Sequence, residues 1–159
     1  MPLAALVHSA DALTRRFACL ASPFALLIRL HVGWVFVKSG YQKAANWEST
    51  LFLFQEEYRV PLLSPWLAAV AGTASELLFG ALVMVGLFGR ASALGLFAVN
   101  ALAVFAYAHV LLSQGFEAAI AQHVLWGFML LVLAVYGPGA LSLDRLVARR
   151  EGNPAPARL

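Results

Sequence analysis

The stretch from Ser64 to Arg90, SPWLAAVAGTASELLFGALVMVGLFGR, decides the fold of this chain. A helix of about 20 apolar residues spans the hydrocarbon core of a bilayer, which is roughly 30 Å thick, and this stretch is long enough to do so. It carries one carboxylate, Glu76, near its middle. An ionisable group at that depth is costly, and by default it marks a functional or structural site with a partner. The stretch therefore predicts a transmembrane helix that holds a polar site.

One face of this helix is lined by small residues. Ala68, Gly72, Glu76 and Gly80 recur every four residues, so they lie on the same side of a helix. Small side chains let a second helix approach closely. We therefore expect a neighbouring helix to pack on this face and to cover the carboxylate of Glu76.

The composition of the whole chain supports a membrane protein. Hydrophobic residues make up 62% of the 159 residues and charged residues 12%, and this charged share is about half that of an ordinary globular domain. Such a chain cannot cover itself with polar surface in water. The net charge of +3 is too small to indicate a nucleic-acid partner. A single cysteine, Cys19, excludes an internal disulfide and a CxxC redox pair.

The predicted fold class is all-α, a four-helix transmembrane bundle. Apolar runs predict four spans, at residues 18–39, 65–88, 91–112 and 118–136. Residues 1–17 precede them as an amphipathic segment on the membrane surface, with disorder as the alternative, and residues 140–159 follow as a basic tail.

The loop between the first two spans contains a further helical pattern. Leu51, Phe54 and Tyr58 form one apolar stripe among charged neighbours such as Glu56 and Glu57. This pattern is typical of a half-buried amphipathic helix. We expect it to lie across the mouth of the bundle on the outward side.

Basic residues predict the orientation of the bundle. Seven arginines fall on one predicted side and three basic residues on the other; the seven are Arg15, Arg16, Arg90, Arg145, Arg149, Arg150 and Arg158, and the three are Lys38, Lys43 and Arg59. Because cytoplasmic segments carry the excess of Lys and Arg, both termini are predicted to be cytoplasmic, in a bacterial inner membrane.

Arg29 is the predicted partner of Glu76. Arg29 lies 13 residues after Arg16 and Glu76 lies 14 residues before Arg90, which corresponds to about 20 Å along each helix. If the two flanking arginines mark one membrane surface, the guanidinium and the carboxylate lie at the same depth. The alternative is a neutral Glu76 bonded to backbone, with Arg29 reaching a lipid phosphate.

Other polar residues extend the candidate site. Asn100 and Tyr107 are seven residues apart and share a helix face, so they join Arg29 and Glu76 as the intramembrane polar set. His109 and His123 flank a short outward turn and, with Lys43, form a candidate outward site for a ligand or a proton. Two histidines without carboxylate or thiolate neighbours indicate a metal or a haem only weakly.

The order of several short motifs resembles the DoxX family of small four-helix membrane proteins. These motifs cover nearly the whole chain: Leu-Ile-Arg-Leu at 27–30, Ser39-Gly40 with Lys43, Ala74-Ser75-Glu76-Leu77-Leu78, Gly86-Leu87-Phe88-Gly89-Arg90, and Tyr136-Gly137-Pro138-Gly139 before Ser142-Leu143-Asp144. A loop motif formed by residues 46–50 and 60–63, and a second motif at 123–127, look like a subgroup that accompanies enzymes modifying copper-binding peptides.

The resemblance implies a redox-linked membrane subunit rather than a stand-alone enzyme. The cofactor stays open: a quinone fits a redox-linked subunit, and haem or copper are weaker alternatives. The expected partners are the lipid bilayer, other membrane or periplasmic subunits, and a second copy of the chain. Two other functions stay open: a non-enzymatic component of a metal-peptide biosynthesis, export or stress system, and a purely structural anchor.

Overall fold

The computed structural model of the protein describes Phe17 and residues 19–152. Seven helices follow one another in these residues: α1 Ala21–Ala45, α2 Trp47–Glu56, α3 Pro65–Val85, α4 Gly89–Ala106, α5 Ala108–Leu111, α6 Glu117–Tyr136 and α7 Leu143–Arg150. The predicted surface segment, apart from Phe17, and the last seven residues of the tail lie outside the described residues.

Four of the helices, α1, α3, α4 and α6, are long and apolar enough to cross a membrane. The predicted all-α fold with four transmembrane helices is therefore confirmed, and α2 lies between the first two spans as predicted. We refer below to the end of the bundle that carries α2 as the α2 end. The opposite end, which carries α7, is the α7 end.

Helix α1 is longer than its predicted span. The sequence predicts a span that ends at residue 39, but α1 continues to Ala45 and ends at Asn46. Gly40 does not break it, because this glycine lies against α3: a Cβ on Gly40 would come within 2.9 Å of the Leu77 side chain. As a consequence, Lys43 belongs to the helix and not to the loop.

Close contact between α1 and α3 forms the tightest interface of the bundle. A Cβ on Gly33 would lie 2.9 Å from the carbonyl oxygen of Gly80, and a Cβ on Gly80 would lie 3.1 Å from that of Gly33. The two backbones therefore touch, as the small-residue face of α3 predicts. At the α2 end of the same face, Gly72 instead meets the ring of Phe54.

Helix α2 packs its apolar stripe onto the start of α3. Phe54 is buried against Ala68 and Ala69, with Tyr58 partly buried beside it. The segment after α2 is also tied to α4, because the backbone N–H of Arg59 donates to the carbonyl of Ala106 at 2.9 Å. This end of the bundle is therefore covered by a helix.

The third span ends earlier than predicted. Helix α4 stops at Ala106, and Tyr107, with φ −111° and ψ 16°, separates it from the short helix α5. The prediction of one continuous helix over 91–112 is therefore wrong at its end. The break places the Tyr107 side chain at the α2 end, beside the segment that follows α2.

The α7 end is closed by a turn and by the start of α7. Gly86 ends α3 with φ 69°, a left-handed conformation that favours glycine. The Asp144 carboxylate accepts hydrogen bonds from the backbone N–H groups of Phe88 and Gly89 at 2.8 and 2.7 Å. An acidic side chain at the N-terminus of α4 also suits the helix dipole.

Candidate functional site

The carboxylate of Glu76 is paired with Lys43. The ammonium Nζ of Lys43 lies 2.6 and 2.7 Å from the two carboxylate oxygens and donates to the Ser39 hydroxyl at 2.9 Å. The two side chains are only 17% and 9% exposed, respectively. A buried charge is tolerated when it is paired and hydrogen-bonded, and this arrangement meets both conditions.

The predicted contact between Arg29 and Glu76 is wrong. Arg29 is buried, but its Nη2 donates to the carbonyl of Leu141, between α6 and α7. Within the described part of the chain, its Nε and Nη1 have no hydrogen-bond partner. Asp144 lies close enough to attract the guanidinium charge. Arg29 therefore belongs to the α7 end, away from Glu76.

The depth argument failed because α1 and α3 have a different register from the one assumed. Arg16 does not mark the start of α1, which begins at Ala21. In the antiparallel pair, Gly33 meets Gly80 and Gly40 meets Glu76. Arg29, four residues before Gly33, consequently lies level with Gly86, where it touches that glycine.

The partnership of Lys43 with Glu76 could have been found from helical spacing. Ser39, Gly40 and Lys43 are separated by one and three residues, so they lie on one side of a helix that continues past residue 39. Treating Gly40 as the end of the span hid this pattern.

Asn100 and His123 join α4 to α6. The amide Nδ2 of Asn100 donates to the backbone carbonyl of His123 at 3.0 Å, and its Oδ1 lies 2.8 Å from the Nδ1 of the His123 ring. Because Oδ1 can only accept, Nδ1 carries the proton in this arrangement. In the neutral ring, Nε2 then remains as an acceptor.

Tyr107 makes a hydrogen bond at the α2 end. Its hydroxyl donates to the Glu57 carboxylate at 2.6 Å, which, with burial and the negative charge, raises the pKa of Tyr107 to about 12. The Tyr58 ring lies 4.9 Å from the Tyr107 ring. Burial, followed by the charges of Glu76 and Glu57, also raises the pKa of Tyr58. The predicted face shared by Asn100 and Tyr107 therefore serves two different partners.

The two histidines of the candidate outward site, His109 and His123, have different surroundings. His109 is exposed and lies edge-on to Tyr107, with ring centroids 5.9 Å apart. His123 lies edge-on to Trp126 at 5.0 Å. Within the described residues, no group of three or more His, Cys, Asp or Glu side chains is placed to hold a metal ion.

A cavity of about 510 Å³ brings several predicted residues together. It lies towards the α2 end, between α1, α3, α4 and α6, and its polar wall contains Lys43, Glu76, Tyr58, Tyr107 and His123. Three further aromatic residues, Trp34, Phe36 and Trp126, line it as well, and the ring centroids of Phe36 and Trp126 are 5.9 Å apart. Ligand sites have volumes of roughly 300–1,000 Å³, with apolar walls and a few polar groups. Arg29, Asn100 and His109 are not part of this lining.

A second, more open hollow of about 310 Å³ adjoins the cavity. It lies between the end of α1 and α2, and shares Lys43, Tyr58, Ser39 and Gln42 with the cavity. The rest of its wall is mostly polar, with Asn46, Ser49, Thr50 and Leu53. The Lys43–Glu76 pair therefore lies at the border between the cavity and a polar hollow at the α2 end.

Some residues of this site carried no signal in the sequence. Glu57 lines no predicted site and was expected only as a polar position of the loop helix, and Trp126 was expected only as part of a span and of the 123–127 motif, not as a wall of a cavity. The role of Glu57 depends on the helix break at Tyr107, and the role of Trp126 depends on the placement of α6 beside α1. A pattern in one helix does not reveal either.

Four membrane-spanning helices with a buried ion pair and a polar cavity define a multi-pass membrane protein with a candidate ligand site. The DoxX family model matches residues 24–109, more than half of the chain. The chain belongs to the DoxX family, and the matched range includes both Lys43 and Glu76. Comparison with curated proteins and with solved structures gives no match.

Proposed function

We propose that this protein is the membrane subunit of a redox-linked complex and that it binds a quinone headgroup in the cavity beside Lys43 and Glu76. The observation that carries the proposal is the buried ion pair on the wall of a cavity of about 510 Å³ that also has aromatic lining. A structural ion pair needs no cavity, whereas a ligand site does.

The residues of the cavity suit a quinone. A quinone head is flat and apolar on its faces, and it has carbonyl oxygens at its edges that accept hydrogen bonds. Phe36 and Trp126 supply aromatic surface, and the ammonium of Lys43 supplies donors. When bound, the quinone would provide two-electron chemistry coupled to protons.

The chain's own contribution is to orient the head and to hold protons. Lys43 is kept in place by Ser39 and Glu76. Its ammonium is therefore already positioned at the cavity, and binding of the head would cost little additional side-chain entropy. The His123 ring is oriented by Asn100, which leaves Nε2 as a proton acceptor. Electrons would be exchanged with a partner subunit of the complex.

The orientation and location are part of the proposal. Lys and Arg asymmetry supports cytoplasmic termini in a bacterial inner membrane. The α2 end, with the polar hollow, then faces outward. Protons of the bound head would accordingly exchange with the outer aqueous phase.

A binding measurement tests the proposal. The full chain is reconstituted in nanodiscs, and the Kd for a short-chain, water-soluble quinone is measured by equilibrium dialysis. The double variant Lys43→Met/Glu76→Gln removes the ammonium donors of Lys43 without leaving an orphan charge. A hydrogen bond to a charged group contributes about 1.5–3 kcal/mol, so the Kd should rise about tenfold or more.

Trp66→Ala is the control, because Trp66 is 54% exposed on α3 and is not part of the cavity lining. This variant should bind as the parent protein does. Two results would contradict the proposal. One is that the parent protein shows no saturable quinone binding, and the other is that the double variant binds with the same Kd as the parent. A protein that binds no quinone but still assembles with partner subunits would favour a platform in a metal-peptide system or a structural anchor.

A further inference from the structure

The cavity wall is incomplete between α1 and α6. These two helices contact each other less than any other two neighbouring spans. Trp34, Lys38 and Gln122 line the cavity, and all three residues are solvent-exposed rather than buried between helices. Side chains that face both the cavity and the surroundings indicate a lateral opening.

This opening lies at the depth of the hydrocarbon core. Helix α1 has 25 residues, which corresponds to about 37 Å and exceeds the roughly 30 Å core by a few ångström at each end. Trp34 lies 11 residues before the last residue of α1, about 16 Å along the axis. The exposed face of Trp34 therefore contacts lipid chains and not headgroups or water.

We propose that the ligand of this cavity is an amphiphile whose single apolar chain leaves the cavity sideways, between α1 and α6, past Trp34. This inference rests on the proposed function, and it names the substrate class of that site: a flat polar head with a long hydrocarbon or isoprenoid chain. Trp34 is the residue that recognises the start of the chain.

The other directions out of the cavity do not suit an apolar chain. Towards the α7 end, the bundle is filled by a core that includes Val32, Leu96 and Leu130, all fully buried. Towards the α2 end lies the hollow lined by Asn46, Ser49 and other polar residues. Each methylene left in water there would weaken binding about fourfold.

Photo-cross-linking tests the path of the chain. The probe is a quinone with a ten-carbon chain that ends in a diazirine, added to the full-length protein in nanodiscs. We expect cross-links on lipid-facing residues of α1 and α6 near Trp34 and Gln122, and a tail-less quinone should compete them away. Cross-links that map to α2 would overturn the lateral path while leaving the quinone site intact.

Affinity for two ligands tests the role of Trp34. Trp34→Ala should raise the Kd of the chain-bearing quinone about fivefold, which corresponds to the loss of roughly one aromatic contact, and should raise the Kd of the tail-less quinone by a clearly smaller factor. Trp66→Ala is the matched control, because Trp34 and Trp66 are 57% and 54% exposed and only Trp34 lines the cavity.

The outcomes separate the two proposals. Equal weakening of both ligands by Trp34→Ala, or of neither, would overturn the role of Trp34 at the opening. Saturable binding of the tail-less quinone alone, with no competed cross-link from the chain-bearing probe, would overturn the substrate class. Binding of neither quinone to the parent protein would overturn the proposed function itself.

Discussion

Lys43 and Glu76 are the residues on which the interior of this protein depends. The pair lies in the membrane-spanning part, where removal of one partner leaves the other as an uncompensated charge. Their carboxylate and ammonium also border the cavity, so the same contact stabilises the bundle and equips the candidate site. Arg29, in contrast, acts at the α7 end through the Leu141 carbonyl.

A double-mutant cycle should detect the coupling of this pair. Removing one partner of a buried ion pair lowers the free energy of unfolding by roughly 3–5 kcal/mol. The loss in Lys43→Met is smaller if Glu76 takes up a proton and becomes neutral. Lys43→Met and Glu76→Gln should each lower the melting temperature in detergent, and the double variant should lose less than the sum. The cycle of Arg29→Met with Glu76→Gln is the control and should be additive, because these two residues do not touch. Additivity for Lys43 and Glu76 would mean that the contact is absent.

Tyr107 should show its hydrogen bond to Glu57 in the alkaline range. The pKa of Tyr107 is raised from 10.0 to about 12 because the neutral hydroxyl donates to the carboxylate. A raised pKa contributes stability that is complete below the unfolded value and is lost as the pH rises through the folded value. The parent protein should therefore lose stability between about pH 10 and pH 12, and Tyr107→Phe should lose less.

The measurement is thermal unfolding as a function of pH, together with the ultraviolet absorbance of the phenolates. Tyr41→Phe is the control, because Tyr41 is 67% exposed. If Tyr107→Phe and Tyr41→Phe have the same alkaline profile, the hydrogen bond does not contribute.

Among the elements, α2 shows how a surface helix completes a membrane bundle. It is short, with ten residues, and its burial depends on Phe54 against Ala68 and Ala69. Isolated helices of this length are marginal in water, so α2 depends on this packing. Since its segment also positions Glu57 and Tyr58, detachment of α2 would open the α2 end of the cavity.

Phe54→Ala should detach α2 while leaving the four spans folded. Truncation of a buried phenylalanine costs about 3–5 kcal/mol, which is more than a ten-residue helix gains on its own. Hydrogen exchange of the α2 amides should accelerate, whereas that of α3 should not. Phe52→Ala is a matched control on the same helix, because Phe52 is 60% exposed. Unchanged exchange in Phe54→Ala would contradict the dependence of α2 on this contact.

For the whole molecule, the arrangement of the spans produces the cavity. Helix α3 packs tightly on α1, and α4 joins α3 to α6, but α6 and α1 meet only sparsely. A bundle of four helices that does not close completely leaves room between its first and last members. The polar residues of α1 and α6 border this room, together with the Lys43–Glu76 pair.

The orientation of the molecule is tested by labelling in intact cells. In a Cys19→Ser background, a cysteine at Glu48 should react with an impermeant thiol reagent, because Glu48 is exposed on α2 and the α2 end is proposed to face outward. A cysteine at Arg149 on α7 should react only after lysis. The reverse pattern would place the termini outside and would contradict the basic-residue argument.

The sequence by itself determined the features that depend on the partition of residues between lipid and water. Four apolar runs predict four spans, and the stripe of Leu51 and Phe54 predicts the loop helix. Gly137 predicts the end of α6, which it caps. These features are local, since each follows from the residues of one segment and the solvent around it.

Only the tertiary structure decided which polar groups meet. The partner of Glu76 depends on the register of α1 against α3, which the contact between Gly33 and Gly80 sets. It also depends on the continuation of α1 through Gly40 to Lys43. The observed register places Gly40, not Arg29, level with Glu76, a difference of 11 residues from the assumed register or about 16 Å along the helix, which is why the depth argument selected Arg29. Hydropathy carries no information on that register, because hydropathy is a property of one segment. The close approach of two backbones, and the side-chain contacts that it permits or prevents, are properties of a pair of helices.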